Sequence, residues 1–264
     1  MSATTSTSIG SGVRSDATDR DRRPGRAQLI AVELRKMTDT RSGFWLPIGV
    51  AVVTLVGALI ASANHGGHGA TLTHVLYVAT QPAALLLPVM GVLLICGEWS
   101  ERTKLTTFTL VPNRWRVIGA KLGASVLVST LALVICLLFT VVCVTLFGHA
   151  PAGAGSLPLT VIAQSWVFLV AGMVMGFAFG AAILVSAPAI VAYLLLPTVW
   201  DAIVGGIHGL SGLATWLDSS ESLSPLTQQP LSAIQWAHAL VTFAVWIGIP
   251  IVVAARRIGR GDLD

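Results

Sequence analysis

Long apolar runs separated by short polar segments dominate the chain. The runs fall at about 44–63, 74–96, 117–147, 159–185, 188–204 and 234–254. A helix needs about 20 apolar residues to cross the hydrocarbon core of a bilayer, and each run approaches or exceeds that length. The pattern therefore predicts an all-α integral membrane protein with six transmembrane helices.

The fourth and fifth runs are almost continuous in the sequence. Together they are about twice as long as one span, so they must be divided. Ser186 and Ala187 form the predicted break, because proline is favoured in the first turn of a helix and Pro188 follows directly.

Composition supports membrane insertion. The chain of 264 residues is 54% hydrophobic and 11% charged, whereas soluble domains carry about a quarter charged residues. Its three cysteines, Cys96, Cys136 and Cys143, lie in or beside apolar runs and are expected to act as small buried hydrophobes. Residues 1–25 are polar and contain no apolar run, so we expect a disordered cytoplasmic tail before a membrane domain at 26–264.

The distribution of positive charge predicts the orientation. All 16 Lys and Arg residues precede the first span, lie between the second and third spans or at the foot of the third, or follow the sixth. The positive-inside rule then places both termini in the cytoplasm. Six crossings are consistent with this, because an even number returns the chain to the side on which it started. Because topology accounts for the basic residues, we expect no nucleic-acid partner.

Residues 26–37 predict an amphipathic helix before the first span. The apolar positions share one helical stripe, from which the charged side chains are excluded. The stripe contains Ala27, Ile30, Ala31, Leu34 and Met37, and the charged residues are Arg26, Glu33, Arg35 and Lys36. Such a helix suits the membrane interface, with its apolar face toward lipid. A plain cytoplasmic extension of the first span is the alternative.

The densest interior block of charge lies between the second and third spans. Residues 98–122 contain two carboxylates and five cations, although a chain reversal needs only a few residues. Pro112 and Asn113 separate two amphipathic pieces, the first at about 99–110. The first piece predicts a short helix that a soluble partner could contact. The alternative is a stop-transfer anchor with snorkelling cations, and composition alone favours neither.

Several short motifs in and around this block occur in a characteristic order. They are Gly97-Glu98, Glu101-Arg102-Thr103, the spaced residues Leu110, Pro112, Arg116 and Lys121, the N-terminal set Glu33, Leu34, Lys36 and Arg41, and the terminal RRIGRGDLD. Over roughly residues 27–264 this order resembles the permease subunits of type-2 ABC exporters. Pro112 lies one residue nearer to the preceding leucine than in some members of that family.

The resemblance implies a coupling helix between spans two and three that contacts a separate ATPase subunit. Its coupling residues would be Glu98, Glu101, Arg102, Thr103, Pro112, Arg116 and Lys121. The N-terminal amphipathic helix would be the interfacial connecting helix, and the outer loop at 205–233 would form short re-entrant helices.

For the whole protein, the resemblance implies a multi-pass subunit of the cytoplasmic (plasma) membrane that forms a homodimer or pairs with a similar permease. It would export a hydrophobic or amphipathic compound such as a drug, antibiotic, peptide or lipid-like molecule. ATP and Mg²⁺ would bind in the partner subunit.

The sequence lacks the motifs of an enzyme. No G-x-x-x-x-G-K-[ST] phosphate loop and no nucleophile–base constellation occur in it, so we expect no ATP hydrolysis and no cofactor in this chain. His65 and His68 share an outer loop, but we predict no metal site there.

Two other functions remain open: a transporter driven by an ion gradient, and a non-transport membrane scaffold. The first usually needs ionisable groups at mid-membrane. Asp201 is the one carboxylate within the predicted spans, and its place beside Trp200 favours the outer interface.

Small and polar residues inside the spans allow two interpretations each. Gly172, Gly176 and Gly180 share one face of the fourth span, where close helix approach would serve packing within the chain or a homodimer interface. The polar residues within the spans could face a pathway or bond a neighbouring helix. They are Thr80, Gln81, Gln164, Gln235 and His238.

Overall fold

The computed structural model describes residues 25–39, 41–63, 71–100, 114–147, 156–206 and 216–261. Within those ranges the regular elements are helices, with no strand. The α-helices are α1 (Arg26–Asp39), α2 (Arg41–Ala63), α3 (Leu72–Ser100), α4 (Arg114–Phe147), α5 (Leu159–Ile183), α6 (Ser186–Gly206), α7 (Ser219–Leu223) and α8 (Ala233–Gly261). A single 3₁₀ turn, Ser224–Thr227, follows α7.

Six of the described helices are long and apolar enough to cross a membrane. Their candidate spans are Gly43–Ala63, Leu72–Gly97, Ile118–Phe147, Leu159–Ile183, Ser186–Val204 and Ala233–Arg257. The prediction of an all-α fold with six membrane-spanning helices is confirmed to that extent, and the chain is a multi-pass membrane protein. Residues 1–24 of the predicted tail at 1–25 lie outside the described residues.

Helices α3 and α5 form the centre of the bundle. Half of the most apolar window of each is buried, against 17–28% in the other four membrane helices. Helices α2 and α4 pack beside α3, α8 packs on α5, and α6 contacts both central helices. The outer helices therefore direct most of their apolar side chains away from the protein, which suits contact with lipid.

The main buried cluster lies between α2, α3, α4 and α5. Leu76 and Leu87 come from α3, Leu133 from α4, and Leu169 and Met173 from α5. Close packing of these side chains supplies the dispersion contacts that hold helices together where lipid is as apolar as the protein.

The break between α5 and α6 falls two residues earlier than expected. Helix α5 ends at Ile183, and Leu184 adopts the left-handed conformation, with φ of 65°. Its backbone N–H donates to the Gly180 carbonyl at 2.8 Å, which closes the last turn of α5. Helix α6 then begins at Ser186, and Pro188 falls in its first turn, where a missing N–H leaves no hydrogen bond unmade.

Candidate functional site

A buried ion pair connects α1 to the membrane bundle. Lys121 Nζ lies 2.7 Å from Glu33 Oε2, and the two side chains are only 2% and 6% exposed. The same ammonium donates to the Leu94 carbonyl at 3.2 Å. Three helices, α1, α3 and α4, therefore meet at one charged group.

Apolar contacts place Glu33 beside Lys121. Helix α1 packs mainly along α4. A methyl group added at Gly123 would lie 2.9 Å from Ile30 Cδ1, closer than carbon atoms normally approach. Glu33 follows Ile30 by three residues and so shares its face, and Met37 continues that face into the main buried cluster.

This arrangement differs from the predicted orientation of α1. The apolar stripe was assigned to lipid, but its members Ile30 and Met37 contact the protein, whereas Ala27 and Ala31 are exposed. Glu33, which the sequence pattern grouped with the solvated charges, is among the buried residues of the chain. The reason is Lys121, because a buried carboxylate is tolerated where an opposite charge and hydrogen bonds replace its water.

The remaining predicted coupling residues lie at or beyond the edge of the described structure. Glu98 belongs to the last turn of α3 and Arg116 to the first turn of α4, although their side chains are not described. Glu101, Arg102, Thr103 and Pro112 lie outside the described residues, as does most of the predicted coupling helix. Of this set, the structure gives side-chain contacts for Lys121.

The three glycines of α5 lie where that helix crosses α3. A methyl group at Gly176 would overlap the backbone of Pro88, and one at Gly180 would overlap the Ile95 side chain. At Gly172 the nearest atom, Pro88 Cγ, is 3.6 Å away, an ordinary contact. These glycines therefore pack within the chain.

Sequence reasoning missed the other half of this crossing. Gly91 of α3 faces α5, and a methyl group there would overlap the Met173 carbonyl. Pro88, Gly91 and Ile95 share a face of α3 at spacings of three and four residues. Gly91, the small residue among these three, was the available sequence signal for a close helix approach. It became informative only when the structure placed α5 against it.

The described part of the predicted outer loop (205–233) is attached to three membrane helices. Asp201 of α6 accepts hydrogen bonds from the Ser219 backbone N–H at 3.1 Å and from its hydroxyl at 2.6 Å. Gln164 of α5 makes the second attachment. With its amide oriented so that its nitrogen and oxygen both have partners, it donates to the Gln229 carbonyl and accepts from the Leu231 N–H, each at 2.9 Å.

The third attachment comes from α8. The Thr242 hydroxyl donates to the Trp216 carbonyl at 3.0 Å. The Trp216 and His238 rings are arranged edge to face, with their centroids 4.3 Å apart. Leu226 is fully buried at the 3₁₀ turn, which packs on α5 and α3. The segment is thus an integral part of this end of the bundle.

Three further residues of the predicted polar set, Thr80, Gln81 and Gln235, also have local partners. Thr80 and Gln81 both donate to the Tyr77 carbonyl of their own helix. Gln235 accepts the Ser232 backbone N–H at 2.9 Å, as the third-position residue of a capping box at the start of α8. These contacts favour structural roles over a pathway lining.

At the cation-bearing end of α8, Arg257 caps α5. Its Nη1 donates to the Ala182 carbonyl at 2.9 Å. A guanidinium is favourable there because the last carbonyls of a helix lack intrahelical donors and carry partial negative charge.

No protein-family model matches the chain, and no curated protein matches it. Within the described ranges, no group of three or more His, Cys, Asp and Glu side chains could hold a metal ion. His65 and His68 lie outside those ranges.

Proposed function

We propose that the chain is the membrane-spanning subunit of an ATP-driven exporter of the type-2 ABC kind. In this proposal both termini and the segment between α3 and α4 are cytoplasmic, and α1 is the connecting helix at the membrane interface. The segment 98–116 forms the coupling element that a separate ATPase subunit contacts. The six apolar helices and the order of the sequence motifs support it.

One observation carries most of the weight. The charged segment leaves α3 and enters α4 at the two helix ends that Lys121 joins, and the same side chain holds α1. A force applied to that segment would therefore reach three helices together. A stop-transfer anchor needs cations that reach water, and Lys121 is 2% exposed.

The contacts at the helix ends support the proposed orientation. Alternating crossings bring the end of α3 and the start of α4 to one side of the membrane, and Lys121 contacts Leu94 there. They bring the ends of α5 and α8 to that side also, where Arg257 contacts Ala182. The cations around these ends favour the cytoplasm for it.

The substrate class follows from the resemblance. We propose a hydrophobic or amphipathic cargo, exported across the cytoplasmic membrane. Six spans rarely enclose a gated path alone, so the chain would form a homodimer or pair with a similar permease. ATP and Mg²⁺ would bind in the ATPase subunit.

The contacts of Asp201 weaken the case for an ion-gradient transporter. A proton relay needs a carboxylate that faces water or a second relay group within the membrane. Asp201 instead receives two hydrogen bonds from Ser219 at the end of α6. The geometry therefore favours a structural role for this carboxylate.

The proposed division of labour predicts no ATP hydrolysis by the isolated chain. The full chain, tagged and purified alone in lipid nanodiscs, is expected to show no vanadate-sensitive nucleotide turnover, because it lacks a phosphate loop. Purified from membranes that contain its partner, the same chain is expected to carry turnover with it. Turnover by the isolated chain, free of contaminants, would contradict the proposal.

A further inference from the structure

Lys121 lies at the contact of three helices, where its charge is cut off from water. Its ammonium reaches Glu33 of α1 at 2.7 Å and the Leu94 carbonyl of α3 at 3.2 Å. An ion pair in such surroundings depends on close geometry, and breaking a buried pair by removing one partner is strongly destabilising. The contact is therefore far more sensitive to the loss of either residue than an exposed pair would be.

The position of Lys121 along the chain shows which helix ends this contact connects. Leu94 lies two turns before the end of α3 at Ser100, and Lys121 lies two turns after the start of α4 at Arg114. The two helices that flank the connecting segment are thus tied to each other. Through Glu33 they are also tied to α1, which is 88 residues away from Lys121 in the sequence.

We propose that Glu33 and Lys121 form a clasp that makes α1, the end of α3 and the start of α4 a single rigid unit. When the ATPase subunit moves the segment between α3 and α4, the clasp passes the displacement to α1. Both are positioning residues. The moving force rests on the function proposed above, whereas the rigid attachment of α1 rests on the geometry alone.

The chain supplies a matched control for the clasp. Lys36 also pairs with Glu33, at 3.1 Å, and carries the same charge on the same helix as its partner. Its side chain is 46% exposed, so that pair is screened by water. If charge near Glu33 were all that mattered, Lys36 and Lys121 would be equivalent. The clasp requires that they differ.

The test measures how firmly α1 is attached. A reporter cysteine replaces half-buried Leu34 in a full chain whose three native cysteines are changed to alanine, and labelling by a maleimide is followed in open membranes. Lys121→Gln and Glu33→Gln are expected to raise the labelling rate at least about tenfold, because each removes one member of the buried ion pair that joins α1 to α4. Lys36→Gln is expected to change it less than about twofold.

A double variant separates the clasp from general damage. Replacing both partners, as in Glu33→Leu with Lys121→Met, removes both buried charges and is expected to return labelling to within about threefold of the parent. Should Lys121→Gln fail to accumulate, Glu33→Gln carries the test. Labelling within about twofold of the parent in Glu33→Gln, or a double variant no better than the singles, would overturn the clasp.

The driving force is tested separately in the complex with the ATPase subunit. Mg-ATP with vanadate is expected to change labelling at position 34 in the parent by at least about twofold, and that change should disappear in Glu33→Gln. No nucleotide effect in the parent complex, with the attachment results intact, would contradict the proposed function and leave the clasp standing. A nucleotide effect that persists in Glu33→Gln would contradict the clasp as the route.

Discussion

Changing Gly176 to alanine is expected to destabilise the folded protein by about 3 kcal/mol or more. The added methyl group would overlap the carbonyl group and Cα of Pro88, which are backbone atoms of the neighbouring helix. No side chain can rotate away to make room, so α3 and α5 must separate. Because these two helices form the centre of the bundle, the loss spreads to every contact between them.

Gly172 provides the matched control for this change. It lies one turn earlier on the same face of α5, and its methyl group would sit 3.6 Å from Pro88 Cγ. Gly172→Ala is therefore expected to be neutral, or slightly stabilising because alanine favours helix over glycine. Unfolding of both variants in SDS–lipid mixed micelles gives the comparison. Equal stability of the two variants would contradict the described crossing.

The spans were predictable because the signal is local. The length and hydrophobicity of each apolar run can be judged from that run alone, so α2 or α4 can be recognised without knowledge of the helices that pack against it. The break before Pro188 was placed within two residues for the same reason. Its position was missed because Leu184 adopts a left-handed conformation that favours glycine, and nothing in its sequence marks it.

The partners of the glycines were not predictable from spacing. Gly172, Gly176 and Gly180 indicate that some helix approaches closely, but not which helix or at what register. That Pro88 and Gly91 meet them depends on how α3 and α5 slide past one another. Register between distant helices is a property of the assembled bundle.

The ion pair was missed because each charge was judged against its own neighbours. Glu33 and Lys121 lie 88 residues apart. Glu33 is close to Arg35 and Lys36 in the sequence, which suggested solvation, and Lys121 was grouped with the other cations at the foot of the third span. A signal existed in α4, where Lys121, Ala124 and Ser125 share one face and all are buried. A lysine above small residues leaves room for a second helix, and Glu33 of α1 contacts that lysine.

The structural role of some polar residues could have been predicted from the sequence, but the sequence analysis left it open. Ser232 and Gln235 have the spacing of a capping box, which marks a helix start. Their hydrogen bond at 2.9 Å shows that Gln235 caps α8. Gln164 is different, because its bonds to Gln229 and Leu231 cross between distant parts of the chain.

Changing Glu101 and Arg102 together to glutamine is expected to abolish ATP-driven export and leave membrane insertion intact. If these side chains were merely solvated, their replacement would change little, because exposed ion pairs contribute only about 0–1 kcal/mol. Lost contact with the ATPase subunit would instead abolish export. The measurement is export per inserted molecule for the complex that contains the variant.

The control for this change is Arg256→Gln. Arg256 is exposed near the end of α8, whereas its neighbour Arg257 caps α5 and is unsuitable. Export by Arg256→Gln is expected to stay near the wild-type level. Near-normal export by the Glu101 and Arg102 variant as well would identify the segment as a membrane anchor.

The central claim is that the segment between α3 and α4 contacts a separate ATPase subunit. A photoreactive amino acid at Lys104 tests it in native membranes, with the same group at Glu221 of the predicted outer loop as the control. The account predicts a cross-link from position 104 to a protein that contains a phosphate loop, and none from position 221. A position 104 that forms no cross-link to a nucleotide-hydrolysing protein, in membranes where the chain is active, would contradict it.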